Sequence, residues 1–184
     1  MIGVINSLLF EFVEEKWGAD RLQSLNVELG FQPDFRFRQH RVYDDAEWAR
    51  VYEETIAFLE QDREQFEWEF GFFSGERLIT LHHALVADCK TARDVILRQP
   101  RIHHGIADAL ANPKEHQGIT RKFRLEENGS TVIMHYRSPN QMCTFYRSLA
   151  TFVAQYHGET VTIDEPCCMK HGADECEIHL DFSG

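Results

Sequence analysis

Three groups of residues in this sequence have the types and spacing to do chemistry. The first is His103-His104 within RIHHGIADAL. On a helix, neighbouring side chains lie about 100° apart, so only one of these imidazoles can face the core. His103 shares a face with Ile106 and Leu110, whereas His104 lies with Ala107, Asp108 and Ala111. A neutral imidazole aimed from a helix into an apolar cavity is what a five-coordinate heme iron requires of its protein ligand. The plainer alternative is a core histidine satisfied by its neighbours, or a solvated one.

The second group is Tyr136-Arg137-Ser138-Pro139-Asn140, read as a strand end followed by a helix with Ser138 as cap and Pro139 as first residue. Hydroxyls at i and i+2 of a strand point the same way, and with the exposed helix amides they can hold a carboxylate. An ordinary strand-to-helix corner is the alternative. The third group joins Cys143 to EPCCMKHGADEC, where Cys168 and Cys176 stand eight positions apart around a glycine-containing turn. Three thiolates and a fourth ligand from His171, Cys167 or Glu165 would close a tetrahedral zinc site. The alternative is small buried cysteines in a core. Asp44-Asp45 reads as a helix start with Asp45 capping, rather than as a catalytic carboxylate pair. The chain has no glycine-rich phosphate loop, nucleophile elbow or HExxH pattern.

The elements that must position these groups follow from periodicity. Ile5, Leu8, Leu9, Phe12 and Val13 recur at helical spacing, as do Trp48, Val51, Tyr52, Phe58 and Leu59 further on. The apolar stretch from Phe66 to Leu97 predicts helix in pieces, broken near Gly71 and Gly75, and a short helix is predicted after Pro100. The texture then changes to ITRKFRLE, an Asn128-Gly129 turn and STVIMHYR, a hairpin signal. A helix with Met142, Phe145, Tyr146, Leu149, Phe152, Val153 and Tyr156 on its buried stripe comes next. Two strands close the chain, the last alternating Cys176, Ile178, Leu180 and Phe182 inward. The fold class expected is mixed α/β, in the α+β sense: an amino-terminal helical subdomain, about residues 1–65, and a unit of about 66–184 with an antiparallel sheet and packed helices. At 184 residues the chain suits one domain.

Composition removes some function classes. A net charge of -11 argues against nucleic-acid or anionic-membrane binding, which need clustered Lys and Arg. No apolar run approaches the roughly 20 residues that span a bilayer, and the first residues are amphipathic rather than signal-like, so a cytoplasmic protein is expected. The five cysteines are unevenly placed, which in a reducing compartment suggests metal or redox chemistry rather than a disulfide framework.

Taken in order, these fragments resemble the H-NOX (heme nitric oxide/oxygen binding) family, in its bacterial stand-alone form. MIGVINSLLFEFVEEKWG is similar to the family's first helix, and VYDDAEW and the FG of FEWEFGFF to its next landmarks. IHHGIADAL resembles the proximal helix, which implies that His103 is the iron ligand of a heme b. HYRSPNQMCTF matches the family's YxSxR propionate-binding motif at Tyr136 and Ser138, with Asn140 in place of arginine. Asparagine cannot reproduce arginine's charge-assisted, bidentate grip, so the resemblance implies looser heme or another cation. IDEPCCMKHGADEC resembles the cysteine turn of zinc-containing members. In members that bind oxygen stably a distal tyrosine donates to the bound gas; that position is Phe145 here, which implies nitric oxide as the signal. The resemblance further implies a binding module rather than an enzyme, and a separate histidine kinase or cyclic-di-GMP enzyme as partner. Two other readings remain: a zinc-thiolate redox sensor with heme secondary or absent, and a small-molecule-binding domain of the vinyl-reductase-like type.

Overall fold

A computed structural model describes residues 1–108 and 113–182. Leu110 and Ala111, placed above on the two faces of the histidine helix, lie outside the described residues. The chain begins with helices α1 (Gly3–Trp17), α2 (Ala19–Glu28), α3 (Asp45–Phe58) and α4 (Arg63–Leu81). Their inward stripes join in one aromatic-rich core that includes Phe10, Phe12, Trp48, Phe66 and Phe70. The cap of α3 is Asp44, not Asp45: its carboxylate accepts from the Ala46 amide at 2.7 Å.

Helix α4 runs unbroken through Gly71 and Gly75, against the expectation of a break at each. Both glycines are packing sites. A Cβ at Gly71 would sit 2.5 Å from the Phe145 carbonyl oxygen, and one at Gly75 would sit 2.3 Å from the Phe152 ring. The missing side chains let α4 lie close against helix α8 (Cys143–Tyr156).

After the short α5 (His83–Val86), helix α6 (Ala92–Asp108) carries both histidines. It does not start after Pro100 but passes through it. A proline lacks the amide for the i to i-4 bond and tends to kink the helix there, yet residues on both sides hold helical geometry. Helix α7 (Pro113–Thr120) leads to strands β1 (Phe123–Asn128) and β2 (Thr131–Tyr136). The hairpin is as predicted, but its loop proper is Gly129-Ser130, since Asn128 already pairs with Thr131. With β3 (Thr162–Cys167) and β4 (Cys176–Asp181) the strands form one antiparallel sheet in the order β1-β2-β4-β3.

Ser138 and Pro139 do not open α8. The Gln141 amide donates to the Ser138 carbonyl at 3.1 Å, a tight turn, and Gln141 itself has φ of 47°, a left-handed conformation that no right-handed helix continues through. The helix therefore starts only at Cys143. Successive residues of α8 then point about 100° apart into different cores: Phe145 joins the amino-terminal helices, while Tyr146 joins Met134, Tyr136 and Ile178 over the sheet. No helix among the described residues is long and apolar enough to cross a membrane.

Candidate functional site

Between the helical core and the sheet core lies a cavity of about 210 Å³, many times the roughly 10–15 Å³ that admits one water. Its wall is largely apolar, with aliphatic side chains from α1, α6 and α8, among them Ile5, Ile102 and Leu149. Its polar wall groups include His82, Gln99, His103, Lys122, Tyr136 and Tyr146. An apolar cleft with a few placed polar groups is the usual form of a small-molecule or cofactor site.

Helix α6 gives its two histidines different surroundings. His104 is exposed, and its Nδ1 meets the Pro100 carbonyl one turn back at 2.7 Å. His103 faces the cavity, with its ring stacked on Phe123 at 4.6 Å between centroids. Its Nδ1 is buried with no hydrogen-bond partner among the described residues. Burial, aided by the charge of Lys122, pulls the imidazole down to about 4, so it is neutral at physiological pH. Neutrality is the state in which an imidazole binds a metal.

The two long walls differ. On one side Phe123 stacks on His103 and leans on Tyr136 (5.2 Å) and Tyr146 (5.9 Å), so these rings form a layer over the sheet. The Tyr146 hydroxyl is buried there without a partner among the described residues. On the other side Phe145 packs on Phe70 at 5.0 Å, beside residues of α1. Behind Phe145 a fully buried carboxylate, Glu67, accepts from the Phe145 amide at 3.1 Å and from Lys170 at 2.7 Å. Sequence periodicity did not single out Glu67, because a charged residue on an otherwise apolar helix face gives no pattern of its own.

Of the Tyr136, Ser138 and Asn140 motif, only Tyr136 reaches the cavity wall. Its hydroxyl accepts from the Met142 amide at 3.2 Å, and burial pushes that phenol up. Ser138 is buried beside it and accepts from the Asn140 amide at 3.4 Å. The Asn140 side chain donates to Asp45 at 3.1 Å, away from the cavity. Asp45 also receives the amino terminus at 2.7 Å. Burial alone would raise the Asp45 carboxyl, but these two hydrogen bonds, together with the charges of Lys122 and the amino terminus, outweigh it and hold it low.

The cysteine group forms a second site. Ligand atoms of Cys143, Glu165, Cys168 and Cys176 all lie within 4.8 Å of one another, with the Cys143 and Cys168 sulfurs 3.5 Å apart. Burial raises the Cys143 and Cys176 thiols. Glu165 is the fourth member, whereas His171 and Cys167 are exposed and lie outside the group. Glu165 shares a face of β3 with Ile163, whereas Cys167 follows the register shift between Asp164 and Cys167 that breaks the alternation, and His171 lies beyond the strand in a short 3-10 turn.

A sequence profile described as haem-NO-binding matches residues 2–165. No curated protein matches the chain by sequence. Among solved structures, an H-NOX protein from S. oneidensis in its Fe(II)NO ligation state superposes with a TM-score of 0.75 at 18% identity, covering 100% of both chains. An oxygen-binding H-NOX domain related to soluble guanylate cyclases, solved as its oxygen complex, superposes with a TM-score of 0.80 at 15% identity, covering 100% of this chain and 96% of that one. At these identities the superpositions establish the fold.

Proposed function

The chain belongs to the haem-NO-binding family of heme-based gas-sensing domains, and from that premise we propose that it holds heme b in the cavity with His103 on the iron. The observation that carries this reading is the neutral His103 imidazole, facing an apolar cavity with its Nδ1 buried and without a partner among the described residues. Heme, when bound there, supplies the gas-binding iron and an iron to imidazole bond that a strong diatomic ligand weakens.

The proposed signal is nitric oxide rather than oxygen. Bound oxygen is polar and gains from a hydrogen-bond donor, whereas nitric oxide binds without one. Phe145 supports this choice because it offers no donor on the wall shared with α1 and α4. The Tyr146 hydroxyl does not alter the reading, since its ring lies in the layer with Phe123, on the His103 side.

When the hold on His103 loosens, α6 is free to shift, and with it the packing of the helical block, about residues 1–65, against the sheet. The proposed output is a separate histidine kinase or cyclic-di-GMP enzyme, with the chain acting in the cytoplasm as a binding module rather than a catalyst. Protein produced with heme supplied should show a strong Soret band that shifts on adding nitric oxide to the ferrous form under nitrogen, and the ferrous form should give no stable oxygen-bound spectrum in air. A stable ferrous-oxygen spectrum in air would reject the ligand choice; absence of any Soret band would reject the heme reading.

The Cys143, Glu165, Cys168 and Cys176 group favours a second reading, a Zn2+ held by three thiolates and one carboxylate. Zinc there would fasten the start of α8 to the β3-β4 turn, and oxidation of the thiolates would release it. Metal analysis should find one zinc per chain, lost in Cys176→Ser. Wild-type protein purified without chelator and carrying no zinc would rule this out.

A further inference from the structure

The departure from the propionate motif leaves a question of charge. Asn140 stands where the family has arginine, and its amide is committed to Asp45. Arg137, the nearest cation in the sequence of the motif, is exposed. The amino terminus reaches the cavity wall through Met1, but its ammonium is already held by Asp45 and the Tyr43 carbonyl, each at 2.7 Å.

The hairpin brings in a different cation. Phe123 pairs with Tyr136, and one step further the Arg137 amide donates to the Lys122 carbonyl at 3.0 Å. Lys122, the residue before β1, therefore lies opposite Arg137, one step along from the Phe123–Tyr136 pair. It is the one lysine or arginine among the described residues that lines the cavity. Its side chain is half-buried, and no carboxylate among the described residues comes within ion-pairing distance of its ammonium. Asp45 acts on it only through space, while burial pulls its ammonium down from the ordinary lysine range. An ammonium kept against apolar walls without a counter-ion is costly unless an anion is to meet it.

We propose that Lys122 is the cation that grips a heme propionate in this chain, taking over the charge of the missing motif arginine from the turn that precedes β1. The inference rests on the heme reading above. A lysine is a single-point partner on a flexible stem, so the grip is a charge-assisted contact without arginine's fork.

The test compares two ligands that differ only in the propionates: heme and heme dimethyl ester, each loaded into wild type, Lys122→Met, Lys122→Gln and Lys122→Arg. Loss of each to excess apomyoglobin is followed by absorbance. Wild type should release the ester at least about tenfold faster than heme, the size of one charge-assisted bond. Either neutral variant should release heme about tenfold faster than wild type and leave the ester rate unchanged, and Lys122→Arg should restore slow release. Circular dichroism of the heme-free forms identifies a variant that fails to fold, in which case the other neutral variant decides. Neutral variants that release heme at the wild-type rate overturn the proposal while leaving the heme reading intact. Equal acceleration of heme and ester overturns it too, because Lys122 would then act through packing. A wild type that takes up neither ligand defeats the heme reading itself, and this proposal with it.

Discussion

Burial, with a smaller contribution from the Lys122 charge, holds the folded His103 imidazole at about 4, against about 6.5 in an unfolded chain. Between those values the unfolded state carries a proton that the folded heme-free state does not, so stability rises with pH across that window. The heme-free protein should therefore keep the contribution above pH 6.5 and lose it as pH falls toward 4, by up to about 3 kcal/mol. Urea unfolding at steps between pH 7 and 4 reads this directly, and His103→Leu should flatten the slope. An unchanged slope in that variant would mean that His103 titrates normally and is not buried as described. That His103 rather than His104 faces the cavity was legible from helix phase, because facing in or away is a property of one helix; its reading as an iron ligand needed the order of the surrounding motifs as well. Lys122 was not, because it enters the site only through pairing with Arg137, and that register depends on the loop falling at Gly129-Ser130. Glu165 was legible as one of three choices; that it joins the three cysteines while His171 and Cys167 do not depends on how β3 and the turn after it fold, and the register shift before Cys167 leaves no mark in the sequence.

The contact between α4 and α8 is the element on which the two cavity walls depend, because α8 sends Phe145 to one core and Tyr146 to the other. Gly71 permits it. A methyl group there would press on the Phe145 carbonyl and the Ser148 Cβ, at 2.5 and 2.9 Å, and carbonyl backbone cannot move aside as a side-chain tip can. Gly71→Ala should therefore lower Tm by about 3–10 °C, the equivalent of roughly 1–3 kcal/mol of overpacking. A Tm equal to or above wild type, the usual result of glycine to alanine in an open helix, would show that the two helices do not approach so closely. The same pair shows why element boundaries were harder to read than elements. A glycine in a sequence looks like a breaker whether it interrupts a helix or lets another helix approach, and only the partner's position distinguishes the two. Pro100 misleads for a related reason: the packing of α6 against α8 and β1 holds helix on both sides of a residue whose own preference is to end it.

At the scale of the molecule, a helical core and a sheet core meet through α8 and leave between them an apolar cavity with His103 on one wall and Phe145 on the other. The order of motifs along the chain was enough to name this architecture, since each helix and strand carries its own periodicity. The cavity was not legible in itself, because it is a gap between elements far apart in sequence. Its proposed use as a gas sensor depends on one bond, from His103 to heme iron. The most direct measurement is the absorption spectrum of His103→Gly loaded with heme, recorded with and without free imidazole and then with nitric oxide. The account predicts that the variant loses the wild-type Soret spectrum, that imidazole restores it by filling the space left by the side chain, and that nitric oxide then shifts it as in wild type. A variant whose spectrum matches wild type without imidazole would contradict the account, because the iron would then be held by some other residue.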